Sequence, residues 1–178
     1  FVTDVSGRTY LDLTSGVGSA NFGHCDRGVA EAIYRQMLKL TNFPDNDWPN
    51  DVATLLKEKL RNFTPGVFLK KVFLSNSGTE AVECALKLLL AKRPERKAFV
   101  AFHGAFHGRT GYALALNGSK PVYREHFPPA LNVIRFPFPE AGIGERRWTQ
   151  GIYDAFRASR IRLDDINAVF IELVQGEG

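Results

Sequence analysis

The chain is poor in cysteine and has no long apolar run, and each lack removes a class of protein. Cys25 and Cys84 are the only cysteines in 178 residues, with neither metal-site spacing nor the density of a disulfide-stapled domain. Reduced thiols in a cytoplasmic protein are therefore the expectation. No apolar stretch approaches the roughly 20 residues that a membrane-crossing helix needs, so no membrane partner is expected. No secretory leader is visible, although the chain opens at Phe1 rather than at methionine and both ends read as cut. A basic stripe interleaved with aromatics is missing too. The net charge is only +4, and the clusters Arg93, Arg96, Lys97 and Arg157, Arg160, Arg162 read as solvated helix ends, which argues against nucleic acid. There is no repeat, no low-complexity tract, no dinucleotide glycine fingerprint and no P-loop lysine.

What is present is material for a core: 44% hydrophobic residues against 24% charged, with 14 Phe and five Tyr. Residues 1–12 read as a hairpin about Asp4-Val5-Ser6-Gly7. A glycine-rich stretch from Ser15 to Gly23 precedes a helix with Val29, Ile33, Met37 and Leu40 at helical spacing. A polar loop over Thr41–Asn50 leads to a second helix carrying Val52, Leu55, Leu56, Leu60 and Phe63, stopped by Thr64-Pro65-Gly66. From about residue 70 strands and helices alternate. Strands are predicted at Val72–Leu74, Ala98–Phe102, Val133–Phe136 and Ala168–Val174. Helices are predicted at Gly78–Lys92, near Tyr112–Leu116 and around Ile152–Ser159. Continuous apolar strands separated by helices predict an α/β fold with a mostly parallel sheet and flanking helices. The organisation expected is an N-terminal segment over 1–45 and a larger α/β domain over 46–178. In such a sheet, ligands collect beyond the carboxyl ends of the strands, where the loops 76–79, 103–109 and 175–178 would meet.

Each of those loops carries chemistry and also a plainer explanation. Ser77 and Glu80 fit a capping box, so a helix starts there with free amides, and Gly78 lets an anion approach the backbone. A simple helix cap explains the same residues. In His103-Gly104-Ala105-Phe106-His107-Gly108-Arg109, Phe106 can lie flat on a planar ligand and Arg109 can grip a carboxylate with two prongs. A core phenylalanine and a surface charge explain these as well. The two histidines four apart suggest a metal pair, but Gly104 and Gly108 disfavour a helix and no third ligand follows, so no metal is expected. Glu172, within the apolar run Phe170–Val174, would cost several kcal/mol if ionised and unpaired. Such an acid serves a site or a buried ion pair. Glu177, between Gly176 and Gly178, is exposed.

Taken together, Asn76-Ser77-Gly78-Thr79-Glu80-Ala81-Val82-Glu83, Phe106-His107-Gly108-Arg109-Thr110 and Ile171-Glu172 with Gln175-Gly176-Glu177-Gly178 resemble the class III (ω-amino acid) aminotransferases of fold type I. Asp12, Gly16 and Asn21-Phe22-Gly23-His24 add to the likeness, which is greatest toward the 4-aminobutyrate, ornithine and acetylornithine branches.

The resemblance implies pyridoxal 5'-phosphate as cofactor. Its phosphate would be held by the amides of Gly78 and Thr79 with help from Ser77, and its ring by Phe106. His107 would stand behind them. Glu172 would belong to the hydrogen-bond network near the cofactor. Arg109 would grip a substrate carboxylate, Val17 would line the substrate pocket, and Glu177 would act as the gate acid that pairs with an arginine further along the chain. The implied reaction moves an amino group from an ω-amino acid to an oxo-acid such as 2-oxoglutarate; the implied partners are these two small molecules and a second copy of the enzyme in a homodimer. Racemases and aminomutases share these motifs, and a non-catalytic phosphate or nucleotide binder would share the Ser77-Gly78-Thr79 turn alone. Leu173 stands where the family usually has proline. None of Lys70, Lys71, Lys87, Lys92 and Lys120 has the context of the Schiff-base lysine, which in the family falls beyond the equivalent of residue 178, so the span by itself is expected to be inactive.

Overall fold

A computed structural model of the chain describes residues 1–44, 47–66, 68, 71–140 and 142–178. The expected boundary between residues 45 and 46 lies outside the described residues, as does Lys70. The chain divides into two compact units, Phe1–Val72 and Phe73–Gly178.

In the first unit, β1 (Val2–Thr3) and β2 (Thr9–Tyr10) pair antiparallel, as the hairpin reading requires. Asp4 closes the turn: its carboxylate accepts from the Ser6 and Arg8 amides and from the hydroxyls of Ser6 and Tyr10, which hold its pKa at about 2. A four-residue turn, α1 (Ser15–Gly18), then precedes α2 (Arg27–Lys39) and α3 (Asp51–Phe63). Both long helices start on an acceptor side chain: Asp26 takes the Val29 amide and Asn50 takes the Ala53 amide.

The second unit holds α4 (Gly78–Lys92), β3 (Ala98–Phe102), α5 (Gly111–Leu116), β4 (Asn132–Phe136), α6 (Glu145–Ser159) and β5 (Ile166–Val169). The sheet runs β4-β3-β5 and all its pairings are parallel, with Phe99 opposite Val133 on one side and Ala168 on the other. β3 is central, and every one of its residues is buried. That explains its unbroken apolar sequence, since helices or neighbouring strands cover it on all sides. Leu86 of α4, Phe99 and Ala101 of β3 and Leu116 of α5 form the core, with Val82, Leu89, Val133 and Phe170 packed around them. Asn167 ties the end of α4 to β5: its side-chain NH2 lies within hydrogen-bond distance of the carbonyls of Leu89, Arg93 and Arg96, around the close of the helix and the turn that follows.

Three predicted elements need correction. Val72–Leu74 is not a strand, because it finds no ladder partner among the described residues and Phe73 is 59% exposed. The last strand ends at Val169 rather than Val174. After Phe170 donates to the Val100 carbonyl the chain leaves the ladder, and Leu173 and Val174 are exposed. The helix predicted around Ile152–Ser159 begins seven residues earlier, at Glu145. Gly151 sits inside α6, where a Cβ would come within 2.9 Å of the Pro137 ring. Trp148 donates to the Pro137 carbonyl at 2.8 Å and holds that close approach.

Candidate active site

Helix α4 begins where Ser77 leaves extended backbone (φ −152°, ψ 159°) and its hydroxyl accepts the Glu80 amide at 3.2 Å. The Glu80 carboxylate reaches back to the amide of Asn76 at 2.6 Å, one residue earlier than in the usual capping box. The amides of Gly78 and Thr79 have no acceptor among the described residues. Two free N–H groups at the positive end of a 15-residue helix, beside a hydroxyl that still has its proton to give, suit an anion.

The loop after β3 folds onto this turn. Gly108 (φ +145°) has no room for a side chain, because a Cβ would lie 2.7 Å from the Thr79 hydroxyl and 2.9 Å from the Ala113 methyl. Glu83, one turn further along α4, accepts from the Ala113 amide at 3.0 Å and the Thr110 hydroxyl at 3.3 Å. Asn117, fully buried at the end of α5, locks the loop from within. Its carbonyl takes the His107 amide at 2.6 Å, and its NH2 donates to the Gly108 carbonyl at 2.7 Å. Arg135 of β4 supports that lock from below through the carbonyls of Ala115 and Asn117. Burial, and then the nearby positive Arg124, lower the Arg135 pKa to about 10, so it stays charged at neutral pH.

The segment after β5 reaches the same loop. Glu172 accepts the Phe106 amide at 3.1 Å and the Gly176 amide at 3.3 Å, so this acid is satisfied by backbone donors rather than by an ion pair. Gln175 donates to the His103 carbonyl at 2.7 Å, and its side chain occupies the space where a Cβ on Gly104 would stand.

Above these ties lies a more open rim. The Phe106 and Tyr123 rings meet edge to face, with centroids 5.9 Å apart. The Arg109 guanidinium sits 4.7 Å from the Tyr123 centroid and 5.4 Å from that of Phe106. The Tyr123 hydroxyl donates to the Glu177 carboxylate at 3.2 Å. His107 turns the other way and meets Phe170 edge to face at 6.0 Å. Its Nε2 is buried with no hydrogen-bond partner among the described residues. Burial lowers its pKa from the ordinary imidazole value against the opposing pull of Glu172, which favours the neutral ring.

Ser77, Gly78, Thr79, Phe106, His107, Arg109, Glu172 and Glu177 thus all belong to the second unit, linked through the 103–109 loop. Val17 belongs to the first unit. It is exposed and holds φ 57°, ψ 45°, a left-handed conformation that β-branched residues rarely adopt. Asn117 and Tyr123 complete the arrangement without having been singled out from the sequence. Asn117 followed by glycine after an apolar helix is a stop signal that hides its second task, and Tyr123 ends a short 3-10 turn (Pro121–Tyr123) with no pattern around it. Among the described residues no group of three His, Cys, Asp or Glu is placed to hold a metal ion, and no helix is long and apolar enough to cross a membrane.

Free amides and a hydroxyl, a nearby aromatic ring and an arginine with no ion-pair partner among the described residues fit a ligand that joins a phosphate to a planar heteroaromatic ring.

The family described as Aminotransferase class-III matches residues 1–178. A 2-aminoadipate transaminase from Pseudomonas putida is 34% identical over 99% of this chain and 43% of its own length. The 4-aminobutyrate aminotransferase GabT of Escherichia coli is 37% identical over 99% of this chain and 42% of its own. Among solved structures, an (S)-enantioselective omega-transaminase from Thermomicrobium roseum superposes with a TM-score of 0.84 at 28% identity, covering 97% of this chain and 41% of that one. A PLP-bound aminotransferase mutant from Vibrio fluvialis shares the fold, with a TM-score of 0.82 at 24% identity over 97% of this chain and 41% of that one. The chain therefore spans about two fifths of the length of these relatives.

Proposed function

Because the chain belongs to the class III aminotransferase family, whose cofactor is pyridoxal phosphate, we propose that the whole protein moves an amino group from an ω-amino acid of the 4-aminobutyrate kind to an oxo-acid such as 2-oxoglutarate. The observation that carries this reading is the convergence on one loop: Thr79 packs against Gly108 while Glu172 holds the Phe106 amide. An anion site, an aromatic ring and a carboxylate thereby share one small region.

When bound, the cofactor supplies the carbonyl that takes up the amino group and the electron-withdrawing ring that makes the substrate carbon acidic. The chain's own residues do the placing. The free amides of Gly78 and Thr79, with the Ser77 hydroxyl, would hold the phosphate, and Phe106 would limit the movement of the ring. Glu172 fixes the Phe106 backbone and so sets where that ring stands. Neutral His107 backs the same loop and leaves one nitrogen free to donate or accept. Arg109, with no ion-pair partner among the described residues, would take a substrate carboxylate in a two-pronged contact. Glu177, a negative charge nearby, would draw an amine and repel a second carboxylate. Val17 is proposed to line the substrate pocket.

Lys71, Lys87, Lys92 and Lys120 are not assigned the covalent role. We place that lysine in the part of the protein after residue 178, so this span alone is expected not to transaminate. A homodimer working in the cytoplasm completes the proposal.

The test is spectroscopic. Full-length protein should carry a cofactor band at the edge of the visible, which an ω-amino acid shifts and 2-oxoglutarate restores. Protein that neither carries nor binds pyridoxal phosphate would refute the reading.

A further inference from the structure

The second unit also holds a cavity of about 380 Å³ that none of the proposed site residues lines. Its wall is mostly apolar, with Leu114 of α5, Val133 of β4, Phe127 and Ile161 among its residues, and no aspartate or glutamate among the described residues contributes to it. Two arginines do, Arg124 and Arg135. Arg135 commits its Nε and Nη2 to the carbonyls of Asn117 and Ala115, which leaves Nη1 with no partner among the described residues. Arg124 has no side-chain hydrogen bond or ion pair among the described residues, although its Nε is buried. Its backbone is held from both sides: the Arg124 amide donates to the Pro121 carbonyl at 2.9 Å, and the Arg124 carbonyl accepts the Phe127 amide at 3.0 Å. Glu125, the neighbouring acid, pairs with His126 at 3.3 Å instead. The two positive charges are close enough that Arg124 is, after burial, the second cause of the lowered Arg135 pKa.

Like charges beside a cavity with no acid to balance them are unfavourable, and a buried donor without an acceptor adds to that cost. An anion in the cavity relieves both, since guanidinium groups bind carboxylates through paired charge-assisted hydrogen bonds. An apolar body on the same ligand would cover the wall. We propose that this cavity is a second anion site, distinct from the turn at Gly78, and that it takes a small organic carboxylate, with Arg124 and Arg135 holding the head and the apolar wall the body. The proposal goes beyond the amino-transfer reading and stands or falls without it.

Calorimetric titration of the full-length protein tests it. Arg109 is the other arginine proposed to take a carboxylate, so the titrations are made both on wild type and on Arg109→Gln. Butyrate should bind to both proteins, about tenfold tighter than acetate in Arg109→Gln because two further methylenes are buried. Adding Arg124→Gln should weaken butyrate binding about tenfold or more, the scale of lost charge-assisted hydrogen bonds. Arg124→Lys keeps the charge but not the fork, so its butyrate affinity should fall between the two, which provides a second reading if the glutamine variant does not fold. With no carboxylate added, Arg124→Gln should leave Tm unchanged or raise it, because it removes an unbalanced charge. No butyrate binding in Arg109→Gln, equal binding of acetate and butyrate, or undiminished butyrate affinity in the Arg124 variants overturns the proposal. So does a lower Tm for Arg124→Gln without added carboxylate, which would show that an acid elsewhere in the full-length protein, or in a second copy of it, already answers this charge.

Discussion

Replacing Asn117 by leucine tests whether the loop that joins the site is held from inside. Leucine keeps asparagine's heavy-atom count and branching but is bulkier, so the change removes hydrogen bonds and crowds the site rather than emptying it. Asn117 is 0% exposed, and its side chain serves two backbone groups, the His107 N–H and the Gly108 carbonyl. Each buried polar group left without a partner costs about 1–3 kcal/mol, so Asn117→Leu should lower unfolding stability by about 3 kcal/mol. The loop should also hold its ligand less well, because His107 and Gly108 lie between Phe106 and Arg109, the two residues proposed to face it. Urea unfolding and a cofactor titration on the full-length protein measure the two effects. Asn117→Asp sharpens the test. One oxygen still accepts from His107, but the other faces the Gly108 carbonyl, acceptor against acceptor, and only the protonated acid mends this. The folded-state pKa of that aspartate is then raised, so the native form binds more protons than the unfolded one and stability falls as pH rises from about 4. A loss under about 0.5 kcal/mol for Asn117→Leu, or an Asn117→Asp variant whose pH dependence matches the wild type, would refute the reasoning.

His107 gives a second pH effect of opposite slope. Burial lowers its folded-state pKa below 6.5, so the unfolded chain takes the proton more readily and stability is lost as pH falls below about 6.5. Wild type should lose more stability than His107→Gln between pH 7.5 and 5.5 in urea unfolding, and equal losses would show that His107 is not the group responsible. Ser77→Ala removes the cap of α4 and should cost about 1 kcal/mol, together with a several-fold weaker hold on the cofactor in titration. Lost stability with full cofactor affinity would reduce Ser77 to a cap. Gly118→Ala drives a Cβ into the Phe102 carbonyl oxygen, with the His103 Cα 3.1 Å away, and should cost about 3 kcal/mol or more, read as a collapse of soluble yield or of Tm.

The central strand was legible because Ala98–Phe102 is apolar throughout, and only a strand covered on both faces tolerates that. The end of β5 was not. Apolar residues continue to Val174, and what pulls the chain out of the ladder is the appetite of Glu172 for two backbone amides far off in sequence or just ahead of it. The sequence marked Glu172 as an acid in need of a partner, and the partner proved to be an N–H, a group that every residue but proline carries and no pattern reveals. The start of α6 escaped for a related reason: Gly151 inside that helix admits the Pro137 ring, a neighbour known only once the helix is packed. The Ser77–Glu80 signal worked because its partners lie within four residues. Tyr123 could not be found in this way: it reaches Glu177 across 54 positions from a turn that has no periodicity.

The depth at which each tie lies has a practical consequence. Asn117 and Gly108 are sealed inside, whereas Arg109 and Glu177 stand outside and Tyr123 half in, half out. Changes at the outer positions therefore leave the inner frame untouched, and variant libraries confined to those three positions should keep nearly all their members folded.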